Sequence, residues 1–303
     1  MIERFRPLLA PQEDPISFPD FFRKLNYPLL GSAKLDGIRA LPRDNVVYSR
    51  TMKPIPSYQV QDEFGWVQWG DGELIEGNAT DPDVYNRTQS HVMSREKFGE
   101  LTFHVFDFAA PQGLTLPYYR RLEKAQKHFE GHPNVTIVDH FEINNETELL
   151  EAEEGILSLG YEGMMLRNPL SHYKMGRGTF KEGIIYKLKR VEMLELRVIG
   201  FVEKMHNTNL LETNELGLAK RSHKKEGMVN AGTLGKFIVD YNGEPQSVAP
   251  GTFKHSELQE IWDNRDNYLE KFLCVKHFPI GVKDKLRQPR AHGWRDEIDM
   301  VKG

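Results

Sequence analysis

The stretch Ala33-Lys34-Leu35-Asp36-Gly37-Ile38-Arg39 sets a lysine two residues ahead of an Asp-Gly pair, at the mouth of a turn. Glycine there is expected to admit a backbone conformation that other residues resist. A lysine that is partly desolvated and beside other cations can shed its proton and act as a nucleophile. Taken alone, such a four-residue pattern is more often a surface lysine at a turn. Its meaning therefore depends on the rest of the chain.

The chain has 303 residues, 39% hydrophobic and 28% charged, with 40 Lys and Arg against 44 Asp and Glu. That length suggests two ordinary domains, and the hydrophobic share is enough for real cores, which excludes wholesale disorder. A single cysteine, Cys274, excludes a disulfide framework and any zinc module built on four thiolates. The net charge of -4 argues against a protein that coats nucleic acid nonspecifically, yet it accommodates an enzyme with a local basic groove. There is no run of 18 apolar residues, and Met1 to Arg6 lacks the apolar stretch of a signal peptide. A soluble, cytoplasmic, monomeric protein with no membrane partner is expected.

Two kinds of sequence grammar meet near Arg190. Before it, a proline-punctuated lead-in over the first 30 residues gives way to mixed α and β patterns. Leu101 to Phe108 is aromatic and β-branched, as a buried strand is; Leu122, Ala125, Gln126 and Phe129 fall at helical spacing. Asn145-x-x-Glu148 opens a second helix running from about Glu146 to Leu159. From Val191 onward, strand-like pieces (Leu196 to Val202, Gly235 to Val239) alternate with polar loops. The stretch Asn207 to Asn230 is expected to be an exposed loop. One helix is expected to start at a Ser256-x-x-Gln259 capping box, with Leu258, Ile261, Trp262, Leu269 and Phe272 on one face. Short strands with one helix fit a small barrel of oligonucleotide-binding (OB) type. The expectation is thus α+β, with domains at 1–190 and 191–303.

The common nucleotide motifs are absent: Gly232 to Phe237 has the wrong glycine spacing for a P-loop, and Gly176-Arg177-Gly178 lacks the third glycine of a dinucleotide turn. In their place, an ordered series follows Lys34: Ser49-Arg50-Thr51, Asp71-Gly72-Glu73-Leu74, His104-Val105-Phe106-Asp107, Glu162-Gly163-Met164-Met165-Leu166-Arg167, Ile185-Tyr186-Lys187-Leu188-Lys189, and Arg287-Gln288-Pro289-Arg290 with Arg295-Asp296. In this order and spacing the set resembles the covalent nucleotidyltransferases, and within them the small ATP-dependent DNA ligases of bacteriophages. The resemblance runs from Lys34 to Asp296.

That resemblance implies a nucleotidyltransferase (ATP-grasp-like ligase) domain followed by an OB-fold barrel, ATP and Mg2+ as cofactors, and nicked duplex DNA as partner, in a host cytoplasm if the source is a phage. It implies that Lys34 attacks the α-phosphate of ATP, with Lys187 and Lys189 against that phosphate and Ser32, Ala33 and Leu35 flanking the nucleotide. Alternation along a strand independently puts Lys187 and Lys189 on one face, opposite Ile184, Tyr186 and Leu188. By resemblance, Phe106 would stack on adenine, Arg39 and Arg50 would lie near the ribose and the nick phosphate, and Glu73 would bind ribose or help place metal. Glu162 would position Mg2+, an ion that prefers hard oxygen ligands. Arg290 and Arg295, with Arg287 and Asp296, would close over ATP and orient departing pyrophosphate. Basic segments at Ser171 to Arg190, Lys220 to Lys225 and Lys276 to Arg290 would face a DNA backbone.

Many family members carry Glu where Ser32 stands, which leaves the choice of ATP over GTP resting on the rest of the pattern. The alternatives are an mRNA capping guanylyltransferase, an RNA ligase and, outside enzymes, a single-strand-binding protein using its barrel alone. NAD-dependent ligases typically carry a four-cysteine zinc finger, which this chain with its single cysteine cannot build.

Overall fold

The computed structural model describes residues 5–11, 21–189, 191–213, 219–222, 225–278 and 285–295. The chain forms two compact units, Met1–Arg190 and Val191–Gly303. Among the described residues no helix is long and apolar enough to cross a membrane.

Unit 1 is built on two sheets. The first takes β1 (Leu29–Ala33), β7 (Phe141–Ile143), β8 (Met164–Arg167) and β9 (Ile185–Leu188) in the order β7-β1-β8-β9, all antiparallel. The second takes β2 (Ile38–Arg43), β3 (Val46–Ser49), β4 (Gly70–Glu76), β5 (Leu101–Phe108) and β6 (Val135–Ile137) in the order β3-β2-β4-β5-β6. Asp44 and Asn45, both with positive φ, make the tight turn between β2 and β3, a geometry these residues tolerate and hairpins require. The helices are α1 (Tyr58–Phe64), α2 (Val84–Val92), α3 (Tyr118–Phe129) and α4 (Glu146–Ser158). The Asn145 side chain caps α4 by accepting from Glu148 N at 3.0 Å, as the sequence suggested.

Strand β5 alternates as a half-buried strand does: Leu101, Phe103 and Val105 enter the core with Leu74, Phe64 and Phe129, while Thr102, His104 and Phe106 face the other way. Helix α3 departs from expectation. Its buried face is Tyr118, Arg121, Ala125 and Phe129, and Gln126 is exposed. A charged residue takes the inward position because Asp107 waits there to neutralise it.

Unit 2 holds β10 (Glu192–Asn207), β11 (Leu211–Thr213), β12 (Ala219–Arg221), β13 (Met228–Tyr241), β14 (Glu244–Val248), α5 (His255–Asp263), β15 (Phe272–Phe278) and β16 (Arg287–Trp294). Five strands form one antiparallel sheet, β14-β13-β10-β15-β16, around Val198, Leu234, Phe237, Leu273 and Val275. Its edges meet at one bridge: Ala249 N donates to Pro289 O at 3.1 Å and Ala291 N to Ala249 O at 2.9 Å. No continuous ladder closes the sheet among the described residues.

Three expectations for this unit need correction. The capping box is made by Glu257, whose carboxylate accepts from Lys254 N at 2.6 Å, so the helix begins at His255 and Ser256 lies inside it. The helix stops at Asp263; Leu269 lies beyond it and Phe272 opens β15, so apolar spacing ran on across a helix end. The stretch Asn207 to Asn230 is not wholly loop, since β11 and β12 pair within it and β13 starts at Met228. Part of the proline-rich lead-in falls outside the described residues.

Candidate active site

Cross-strand register builds the site. On the second sheet Arg39 lies directly opposite Glu73, and Glu73 opposite His104, with Phe106 two residues further along the same face of β5. On the first sheet Ser32 pairs with Met165 and Met165 with Lys187. All of these but His104 line a cavity of about 500 Å³, which Ala33, Lys34, Leu35, Arg50 and Thr51 also border. The alternate residues Met164, Leu166, Tyr186 and Leu188 are buried in a core on the opposite face.

Lys34 follows β1 directly, and its N–H donates to Gly163 O at 2.8 Å, extending the β1–β8 pairing by one step. Two glycines make the approach possible. A Cβ on Gly163 would sit 2.1 Å from Leu188 O, and one on Gly37 would sit 2.2 Å from Leu74 O. The sequence ascribed Gly37 to an unusual backbone angle, but Gly37 has no positive φ, and the demand is for space.

Glu162, buried just before Gly163, joins two lysines: one carboxylate oxygen accepts from Lys34 Nζ and the other from Lys189 Nζ. Burial alone would push this carboxyl up. The charges of Lys34 and Lys189 and their hydrogen bonds outweigh that, holding it below its ordinary value. Lys187 and Lys189 separate here: Lys187 lines the cavity, and Lys189 lies past the end of β9 against Glu162.

Arg39 is held by Asp71, with Nε on Oδ1 at 2.5 Å and Nη2 on Oδ2 at 2.8 Å, and its guanidinium lies 4.5 Å from the Phe106 ring centroid. One face of Phe106 is therefore covered by a cation. Burial pushes the Glu73 carboxyl up to about 7, against the opposing pull of Arg39 and Lys34. Half-buried Glu73 makes no ion pair or hydrogen bond through its carboxylate among the described residues, so a cation or a ribose hydroxyl at the cavity wall would meet an acceptor not committed to another side chain.

Among the described residues no group of three or more His, Cys, Asp or Glu side chains could hold a metal ion. Mg2+ commonly uses only one or two carboxylates together with substrate phosphates, and Glu73 fits that pattern as it stands. Glu162 fits it once its lysines are drawn off.

Several lining residues carried no signal in the sequence. Leu8, Leu9 and Ala10 come from the proline-rich lead-in, which pairs with the Gly176–Gly178 turn through Leu9. Tyr85 and Met93, at α2, also border the cavity, as does Met165, which alternation within the Glu162 to Arg167 stretch could have found. The basic run from Ser171 is partly used inside the unit. Lys174 pairs with Glu182, and Arg177 lines the cavity while donating to Ala10 O at 2.7 Å. Arg290 and Arg295 belong to unit 2, where Arg290 pairs with Lys276 across β15–β16 and Arg295 binds Glu195 at 2.9 Å. Asp296, Lys224 and Arg190 lie outside the described residues.

Comparison with known proteins points one way. A model of the ATP dependent DNA ligase domain matches residues 7–189. A DNA ligase of African swine fever virus is 27% identical over 206 residues, covering 67% of this chain and 46% of the viral protein, so the chain spans about half that relative's length. A DNA ligase of Haemophilus influenzae is 26% identical over 215 residues, 68% of this chain and 75% of that protein. Among solved structures, Chlorella virus DNA ligase-adenylate is 29% identical, with a TM-score of 0.53, over 97% of this chain and 99% of that one. A Lig E DNA ligase, at 21% identity and TM-score 0.67, shares the fold over 96% of this chain and 99% of that one. With more than half of its length matched by the family model, the chain belongs to the ATP-dependent DNA ligase family.

Proposed function

We propose that this chain seals 3'-hydroxyl/5'-phosphate nicks in duplex DNA through an adenylate carried on Lys34. The observation that carries the reading is the Lys34–Glu162–Lys189 cluster beside a cavity that Arg39, Arg50, Glu73, Phe106 and Lys187 also border. A protonated amine has no lone pair, so the Lys34–Glu162 ion pair must open before attack. An arriving triphosphate competes for both lysines with dense negative charge. Lys187 and Lys189 then hold the α-phosphate; the released Lys34 ammonium gives its proton to solvent, and the neutral amine forms the N–P bond as the α-phosphate's bond to pyrophosphate breaks. AMP passes next to the 5'-phosphate of a nick, and the 3'-hydroxyl displaces it. Glu73, and Glu162 once it is released, would hold Mg2+, which when bound would offset phosphate charge.

Unit 1 is read as the adenylation domain and unit 2 as an OB-type barrel; the five antiparallel strands and the Ala249 bridge between sheet edges support the latter. Arg290 and Arg295 are read as groups that close over ATP in the first step. ATP is read as the nucleotide, used by a cytoplasmic monomer. The test incubates the chain with Mg2+, a nicked duplex and ATP, GTP or NAD in turn. ATP alone is expected to give sealed product; GTP uptake with capping of an RNA 5' end would favour the guanylyltransferase reading instead.

A further inference from the structure

Tyr173 lies on the loop after β8, 5% exposed, and does not line the cavity. Its hydroxyl donates to Asp71 Oδ2 at 2.6 Å and accepts from Leu8 N at 3.1 Å. Burial, reinforced by the Asp71 charge, pushes the phenol well above its ordinary value, so it stays a donor across the working pH range. Asp71 is itself 1% exposed and takes both the Nε and the Nη2 of Arg39. The second proton of Nη2 goes to Leu8 O at 3.2 Å. The proton accounting is then specific: Nε and Nη2 are fully engaged, and among the described residues Nη1 alone has no hydrogen-bond partner. Since Arg39 lines the cavity, Nη1 carries the two protons left for a ligand.

We propose that Tyr173 is a positioning residue for Arg39: through Asp71 and the Leu8 backbone it fixes the roll of the guanidinium on Phe106, so that Nη1 faces the nucleotide. This inference rests on the adenylation reading above and assigns part of its geometry to a residue outside the cavity. A tyrosine is suited to the task because one hydroxyl serves both sides, donating to the carboxylate and accepting from the lead-in segment. Without it, Asp71 loses a donor to the oxygen it shares with Nη2, and Leu8 N is left buried without an acceptor. Arg39 would keep its charge and its aromatic contact but lose its fixed orientation. An interaction of this kind costs rate in proportion to the misplacement it allows.

The experiment is a double-mutant cycle on the rate of self-adenylation at saturating ATP and Mg2+, in the full chain, with Tyr173→Phe, Arg39→Ala and the double variant. Tyr173→Phe is expected to slow the wild type roughly tenfold, below the hundredfold that an ångström of misplacement can cost. In the Arg39→Ala background it is expected to slow nothing further, a result that a merely structural role would not give. Equal slowing in both backgrounds, or none in the wild type, overturns the inference while leaving Lys34 chemistry intact. A wild type that takes up no AMP overturns the adenylation reading and this inference with it. Should Tyr173→Phe not fold, Asp71→Asn enters the same cycle and must show the same dependence on Arg39.

Discussion

Among the described residues of unit 1, Asp107 and Glu162 are each gripped by two cations, and the two clusters differ in what their cations can do. Asp107 is fully buried and takes Arg121 Nε at 2.7 Å, Arg121 Nη2 at 3.1 Å and Arg167 Nη2 at 2.6 Å. Burial would raise its carboxyl; the Arg167 and Arg121 charges hold it low. Glu162 is also buried, though less completely, and its partners are lysines whose side chains remain 24% and 14% exposed. A guanidinium does not deprotonate and binds a carboxylate through a rigid fork, whereas an ammonium is a point charge on a flexible stem that can swing to another anion or lose its proton. The Asp107 cluster is thus a permanent strut joining β5, α3 and β8. On the proposed reading, the Glu162 cluster is a resting arrangement that the polyphosphate of ATP takes apart.

If that contrast holds, the largest effect on stability belongs to Asp107→Asn, which strands two buried guanidiniums. Urea unfolding should show a loss of about 3–5 kcal/mol. A loss under about 1 kcal/mol would erase the distinction between the clusters. Glu162→Gln should act on rate more than on folding, since its lysines reach solvent. Self-adenylation is expected to fall on the order of 10²–10³-fold, with a smaller stability change than for Asp107→Asn. Equal stability losses in the two variants would make Glu162 another strut.

The smallest effect sharpens the comparison with a third carboxyl. Glu73 has its folded pKa raised to about 7 from an ordinary 4.5, opposite in sign to both others. The folded chain therefore holds the extra proton between those values, and stability falls as pH rises through that window. The cost is complete above about pH 7 and absent below about pH 4.5. Glu73→Gln should raise the melting temperature over wild type at pH 8 and leave it nearly unchanged at pH 4.5. The same difference at both pH values would show that Glu73 is already solvated.

The sequence made some of this legible for physical reasons. Leu101 to Phe108 reads as a strand because its aromatic and branched side chains leave few alternatives, and it is β5. Asn145 announces α4 because a cap is a local interaction. Local rules fail where a distant partner decides. Arg121 is turned inward by Asp107, and Leu269 continues an apolar rhythm after α5 has ended. The site shows the same division. Lys34 and Glu162 lie 128 positions apart, and nothing in either segment states that β1 pairs with β8. Only the order of motifs joined them. Tyr173 and Leu8 belong to no such motif, so their hold on Asp71 needed the structure.

If the Lys34 amine is the group that becomes adenylated, peptide mapping after incubation with ATP and Mg2+ will find the adduct there. Wild-type protein is expected to gain one AMP on the peptide containing Lys34, in a linkage stable to base and labile to acid, and Lys34→Ala is expected to gain none. An adduct on any other residue, or one that persists in Lys34→Ala, would contradict the account.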